Sequence, residues 1–332
     1  MHGPQPQPAP PAGLTGTVAD HHARTGLGDL APLVAFAAER CGLGPVDNWR
    51  VITTGFEDTN IALDTRTGQV VVKAFARSRG SIAARTVALL HRAIAQGVHH
   101  PELRRDAHGR TLLRYRGTSI LVMDRADGAD YYTLQRPPTH DELARIVDQA
   151  ALLHTIDARP AHVHDPWALT NLVPLADRMQ PHLDTEQRVL VAAAVDAVAR
   201  VDRPALPHAL IHGDLTKGNV LATPDGGITL LDFAVAGWAP RVQDLAVMAA
   251  NLTHGDPRPL TERVTQVADL YADTASLTDR ERDALAVYGH AAAAMEFLGA
   301  LAEQRLHGTV TDETAYLVDL GLAGLRDAAK TG

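Results

Sequence analysis

LIHGDLTKGNVLATPDGGITLLDF, residues 210–233, is the stretch whose reading decides how the rest of the chain is understood. An apolar run feeds a polar His212-Gly-Asp214 loop. A second apolar run ends on a carboxylate, Asp232, 18 positions after Asp214. Short strands lying side by side would project Asp214, Asn219 and Asp232 into one cleft. Asp and Asn oxygens are hard ligands that suit Mg2+, an ion that keeps waters and bridges substrate phosphates. A carboxylate beside them is placed to orient or deprotonate an attacking hydroxyl.

Upstream, WRVITTG (49–55), TNIALDT (59–65) and QVVVKAF (69–75) read as strands joined by turn chemistry such as Thr67-Gly68. RTLLRYRG and TSILVMD (110–124) read as two more. A helix is expected from Asp29, as N-cap, to near Gly42, and another over Ser81–Gln96, closed by Gly97. Beyond Asp124 helices dominate. Thr139–Glu142 and Thr278–Glu281 are capping boxes opening two of them. Residues 1–28, with five prolines in the first eleven positions, read as a disordered arm. The expected architecture is α+β and two-lobed: a small β-rich lobe over 29–124, a hinge near 122–128, and a larger, mainly helical lobe over 125–332.

Composition narrows the classes. The chain has 332 residues, 45% hydrophobic and 21% charged, the profile of an ordinary globular protein. A formal charge of −8 argues against a general nucleic-acid binder, which needs a basic face. One cysteine, Cys41, excludes an internal disulfide and a cysteine zinc site, and is expected to be a packing residue. No uninterrupted apolar run of about 18 residues is present, so no membrane partner is expected. The first residues lack the pattern of a signal peptide, and the expected location is cytoplasmic. Only three of the 31 basic residues are lysines: Lys73, Lys217 and Lys330. Lys73 lies in QVVVKAF and Lys217 in the 210–233 stretch, where a compact ammonium against phosphate is not replaceable by arginine.

The 210–233 stretch resembles the catalytic region of the aminoglycoside phosphotransferase family and related kinase-like small-molecule phosphotransferases, whose mark is HGDxxxxN followed by a strand-borne Asp-Phe or Asp-Trp. The resemblance implies a bilobed protein-kinase-like fold, ATP and Mg2+ as cofactors, and transfer of the γ-phosphate to a small-molecule hydroxyl. It assigns Asp214 to the acceptor hydroxyl, Asn219 and Asp232 to magnesium, and His212 to fixing the loop. It makes Lys73 the lysine on the α- and β-phosphates. Gly55 and Asn60, in GFEDTN, fall where the family covers the nucleotide, and the Asp124 carbonyl and Ala126 N–H where it binds adenine. Lys217 is an expected catalytic cation at the γ-phosphate, and Asp244 an expected helix cap.

One departure stands out. Kinase-like folds pair the strand lysine with a Glu on the next helix, yet SIAARTVALLHRAI has no acidic residue and carries Arg85 about where that Glu belongs. Glu57, Asp58 or phosphate itself is left to partner Lys73. A non-catalytic nucleotide-binding scaffold is the reading from a different class.

Charge bears on the acceptor. Residues 29–110 carry a net +3 and residues 261–332 a net −6, which suits a polyphosphate at one end and a cationic acceptor at the other. Asp279, Glu281, Asp283 and Glu296 are therefore candidate acceptor-binding residues, Glu296 above all because it interrupts the apolar AAAAMEFLGAL. An aminoglycoside or related amine-bearing antibiotic is the leading expectation. A homoserine-, choline- or thiosugar-type metabolic acceptor is the alternative.

Overall fold

A computed structural model describes residues 25–52 and 58–329. By contact the chain divides into two compact units. The first holds the described residues up to Gly80 with Arg104–Met123 and Thr311–Glu313; the second holds Ser81–Leu103, Asp124–Val310 and the described residues from Thr314.

In the first unit, α1 (Ala31–Arg40) buries Leu33, Val34, Ala37 and Ala38, a stripe at helical spacing. Asp29 Oδ1 accepts from the Ala31 N–H at 2.9 Å, so the expected start is correct to within a residue. Five strands follow: β1 (Val46–Ile52), β2 (Thr59–Thr65), β3 (Gly68–Ala74), β4 (Leu112–Tyr115) and β5 (Thr118–Asp124), in the order β1-β2-β3-β5-β4. The β4–β5 hairpin turns on Arg116 and Gly117, both at positive φ, the primed geometry that matches strand twist. Antiparallel pairing puts Ile61 opposite Val72 and Leu63 opposite Val70, and all four enter one core with Leu30, Leu33 and Val34 of the helical segment. Side chains alternate across a strand. Asn60 and Lys73, directly opposite one another in the same register, therefore share the other face.

The second unit is built around α8 (Asp279–Leu306). Before it in the chain come α2 (Gly80–Gln96), α3 (His140–His154), α4 (Leu172–Met179), α5 (Thr185–Ala199), α6 (Val242–Val247) and α7 (Leu260–Thr274); α9 (Asp312–Ala329) follows. Within this unit β8 (Val220–Ala222) pairs with β6 (Ala129–Asp130) and β9 (Ile228–Leu230), and β7 (His208–Ile211) pairs with β10 (Gly237–Pro240). The α8 helix is long and apolar enough to cross a bilayer, a property hidden from a search for uninterrupted apolar runs, but 78% of its apolar window is buried inside the protein. It is the core helix. α9 crosses it at Gly321 and Gly324: a Cβ at Gly321 would stand 2.6 Å from the Ala293 carbonyl oxygen, and one at Gly324 2.7 Å from the Ala293 Cβ.

Both anticipated capping boxes form, at Thr139/Glu142 and Thr278/Glu281, and a third, Asp184/Gln187, opens α5. α2 groups with the second unit because one face of it is bonded there. Arg92 donates to the Asp157 carbonyl at 3.2 Å, and Gln96 to Thr155 Oγ1 at 2.8 Å.

Candidate active site

β7 delivers the His212-Gly213-Asp214 loop, and Asp244 holds it. The Asp244 carboxylate accepts the His212 and Gly213 backbone N–H groups, each at 2.8 Å, and lies 3.1 Å from His154 Nε2. It makes none of the cap bonds of α6. The expected helix cap is thus a loop clamp, because buried and half-buried amide donors at a strand end need an acceptor. His212 is fully buried, and its Nδ1 accepts from the Asp214 N–H at 3.3 Å while Nε2 bonds the Leu231 carbonyl at 2.8 Å. Those partners fix the neutral tautomer with its proton on Nε2, and burial lowers the imidazole pKa. His212 ties the Asp214 loop to the strand leading into Asp232.

Asn219 and Asp214 are joined directly. The Asn219 Nδ2 donates to Asp214 Oδ2 at 2.6 Å and to the Asp214 carbonyl at 3.1 Å. The Leu231 N–H donates to the Asn219 carbonyl at 2.8 Å, which sets Asp232 one residue from that junction. Asp232 takes up the left-handed region, φ 54°, and its Oδ1 accepts from the Ala234 N–H at 3.2 Å. Asp and Asn tolerate this region better than other side-chain-bearing residues. Of the three residues read from the sequence as one constellation, Asp214 and Asn219 are bonded to each other, and Asp232 follows the residue whose N–H bonds the Asn219 carbonyl. Burial, then the negative charges of Asp165, Glu296 and Asp232, push the Asp214 carboxyl up to about 8.

Lys217 departs from its expected place at a phosphate. It is buried, and its ammonium donates to the His254 carbonyl at 2.7 Å and to the Tyr316 hydroxyl at 2.9 Å. Burial and Arg263 bring its pKa down to about 8. An apolar surround makes two good acceptors worth more than solvent exposure, so this lysine anchors α9 to the loop that bears Asp214. Its backbone N–H donates to Asn251 Oδ1 at 3.0 Å, and the Asn251 Nδ2 donates to Glu296 Oε1 at 2.8 Å. Asn251 sits in a π-helical turn, Met248–Leu252, the kind of irregularity found at functional positions. Glu296, the acid in the apolar run, is thereby linked to the loop that bears Asp214.

Aromatic side chains complete this wall. Tyr132 meets Tyr316 edge to face, centroids 5.2 Å apart, and lies against Gly218. Trp167 packs so closely on Gly299 that a Cβ there would be 2.5 Å from its ring. Gly299 is one helical turn beyond Glu296, hence on the same face. Asp165 Oδ1 accepts from the Trp167 N–H at 2.9 Å. Asp165, Trp167, Tyr132, Asn251 and Tyr316 escape the sequence reading. They come from four separate segments, and none lies in a recurrent spacing.

Three proposed acceptor acids do not join them. Glu281 is fully buried, gripped bidentately by Arg241 at 2.6 and 2.9 Å, and occupied by the capping box. Asp279 and Asp283 are exposed beside it. At about 1.5 Å rise per residue, this end of α8 lies roughly 20–25 Å along the axis from Glu296. A helix long enough to span the unit cannot present both ends to one small molecule.

In the first unit, Lys73 Nζ is 3.4 Å from Asp58 Oδ2, and Asp58 also accepts the Ala76 N–H at 3.0 Å and pairs in charge with Arg79, whose Nε is 3.3 Å away. Asp58 thus supplies the counter-ion that α2 lacks. Asn60 shares the Lys73 face of the sheet. Gly55 and Glu57 lie outside the described residues, as do most of the arm and Lys330. Asp124 ends β5, its N–H bonded to the Glu102 carbonyl at 2.8 Å, and Ala126 follows in the half-exposed loop.

A family model of phosphotransferase enzymes, APH, matches residues 48–285. The chain belongs to that family. It is 30% identical over 214 residues to a homoserine kinase of Pseudomonas aeruginosa, a match covering 62% of this chain and 65% of the relative, and so just under two thirds of that relative's length. Among solved structures, a spectinomycin phosphotransferase superposes with a TM-score of 0.65 at 12% identity, covering 90% of this chain and 97% of that one. A choline kinase from Streptococcus pneumoniae superposes with a TM-score of 0.63 at 14% identity, covering 89% and 99%. The fold is the protein-kinase-like one of this family, with an N-terminal antiparallel sheet and a larger helical C-terminal part.

A magnesium ion fits the donor set of this family member. The Asn219 amide nitrogen is committed to Asp214, which leaves its oxygen as a hard donor, and Asp232 supplies a carboxylate. Among the described residues no group of three or more His, Cys, Asp or Glu is arranged as a metal site. Two protein oxygens plus substrate and water suit Mg2+ and not zinc.

Proposed function

We propose that this protein is an ATP- and Mg2+-dependent O-phosphotransferase acting on a hydroxyl of an amine-bearing small molecule. In this reading Asn219 and Asp232 would hold the ion, which when bound neutralises phosphate charge. Lys73, aligned by Asp58, faces the α- and β-phosphates. Asn60, the Asp124 carbonyl and the Ala126 N–H line the nucleotide. Asp214 orients the acceptor hydroxyl and takes its proton. The acceptor oxygen bonds to the γ-phosphorus as the bond to the β–γ bridging oxygen breaks, releasing ADP.

The observation that carries the acceptor class is the sign of the charge around Asp214. The charges acting on it most strongly, Asp165, Glu296 and Asp232, are all negative. An ammonium on the acceptor balances Asp165 and Glu296, with the rings of Trp167, Tyr132 and Tyr316 beside them for cation–π contact. The relatives agree in chemistry: homoserine, choline and spectinomycin each carry nitrogen and hydroxyl groups. The sequence likeness to homoserine kinases favours a small amino alcohol or amino acid as the specific second reading, over an antibiotic. A cytoplasmic setting, where ATP is plentiful, fits either.

The test is Mg2+-dependent ADP release and product mass over a panel of amino alcohols, amino acids and aminoglycosides. Each is paired with a counterpart in which the amine is acetylated. Turnover is expected with free amines and at least tenfold lower kcat/KM with acetylated forms. Equal turnover of both forms sinks the amine reading; ATP consumption unchanged by Asp214→Ala with every acceptor sinks the enzyme reading.

A further inference from the structure

α2 carries an arginine where a kinase-like fold has its lysine-pairing glutamate, and the structure gives that arginine a different task. The Arg85 guanidinium donates from NH1 to the Ala234 carbonyl at 3.2 Å and from NH2 to the Ala236 carbonyl. Its Nε donates to the Ala161 carbonyl at 2.9 Å. All three acceptors are backbone oxygens within the second unit. Burial lowers the Arg85 pKa, so the charge is held where only good acceptors justify it.

The two carbonyls on Ala234 and Ala236 belong to the turn that leaves Asp232. Asp232 stands at φ 54°, its Oδ1 accepts from the Ala234 N–H at 3.2 Å, and the Ala236 N–H reaches the Phe233 carbonyl at 3.3 Å. A non-glycine residue in the left-handed region persists only when its surroundings over-determine it. A planar fork that fixes two alternate carbonyls does so from outside. The third carbonyl, on Ala161, lies four residues before Asp165 in the same loop, so one side chain braces both the segment leaving Asp232 and the loop that bears Asp165.

We propose that Arg85 is a positioning residue: by clamping the carbonyls of Ala234, Ala236 and Ala161 it aims the Asp232 carboxylate for the divalent cation. The inference rests on the reading of Asp232 as a cation ligand. Removing an outer-shell partner of a metal ligand typically weakens metal affinity about 10–100-fold.

The experiment measures Mn2+ binding to the full chain with ADP by electron paramagnetic resonance, beside ADP affinity without metal and the unfolding midpoint. Arg85→Met is expected to weaken Mn2+ binding about tenfold or more, with metal-free ADP affinity unchanged. Arg85→Lys, which keeps the charge but not the fork, recovers part of the loss. Arg92→Met, on the same helix and bonded to the Asp157 carbonyl, is expected to lower the midpoint while leaving Mn2+ affinity at the wild-type value. Asp232→Asn separates the two readings. If it leaves Mn2+ affinity intact, the cation assignment fails. If it weakens Mn2+ and Arg85→Met does not, the positioning role fails alone. If Arg85→Met does not fold, Arg85→Lys decides: wild-type Mn2+ affinity overturns the proposal, and a loss with an unchanged midpoint supports it.

Discussion

Asp214 is a carboxyl that the fold keeps from ionising easily, and its neighbours explain why. Its pKa of about 8 has burial as the first cause and three carboxylates as the next. Asp214→Asn is expected to lower kcat by about 10²–10⁴-fold, the usual worth of a general base, with ATP affinity retained in equilibrium binding. The same substitution should raise the unfolding midpoint at neutral pH. A carboxyl whose folded pKa exceeds its ordinary 3.8 contributes stability at low pH that is lost as pH rises through about 8. The gain from Asn is therefore larger at pH 7 than at pH 4, and calorimetry at the two values checks it. Because the base must be ionised, kcat/KM for the acceptor climbs with pH. Asp165→Asn and Glu296→Gln each remove a negative neighbour, so each moves that limb to lower pH in a pH–rate profile; a shift upward contradicts the assignment. Lys217→Met breaks the bonds to Tyr316 and the His254 carbonyl. It is expected to raise the acceptor KM several-fold more than it lowers kcat, with the KM for ATP unchanged, in steady-state kinetics. A collapse of kcat alone would return Lys217 to the γ-phosphate.

Among elements, those whose signal is local were legible and those made by crossing were not. The strand edges at Thr59 and Thr65, the stop at Gly97, and the capping boxes at Thr139 and Thr278 follow from residues within a few positions of one another. So does the Asp214–Asn219 pair, held by a bond five residues long in sequence. Asp232 was reachable because a single short hairpin, β8–β9, separates it from Asn219. The acceptor wall was not, since Tyr316 meets Lys217 from 99 positions away and Asn251 meets Glu296 from 45. Periodicity carries no register between helices. Glu281 shows the opposite hazard: the capping box that identifies it also consumes it, so a net-charge argument overcounted the acids free to bind a substrate. The α8–α9 crossing makes a testable case. Gly321→Ala would drive a methyl against the Ala293 carbonyl and the Phe297 backbone. Overpacking a close crossing of this kind costs about 1–3 kcal/mol, to be read from denaturant unfolding. Because α9 carries Tyr316, acceptor KM should rise in the same variant.

Taken whole, the molecule distributes its functions by unit. The sheet unit aligns Lys73 with a counter-ion of its own, Asp58, and the helical unit gathers Asp214, Asn219 and Asp232 with the acidic and aromatic wall. Charge is uneven along the chain, positive over residues 29–110 and negative over the last 72 residues. The scarcity of lysine has a further consequence for handling the protein. Lys73 and Lys217 are 6% and 4% exposed, each inside an ion pair or hydrogen-bonded network. A succinimidyl ester applied to the folded protein is expected to spare both, as peptide mapping will show, and to acylate them once urea is added.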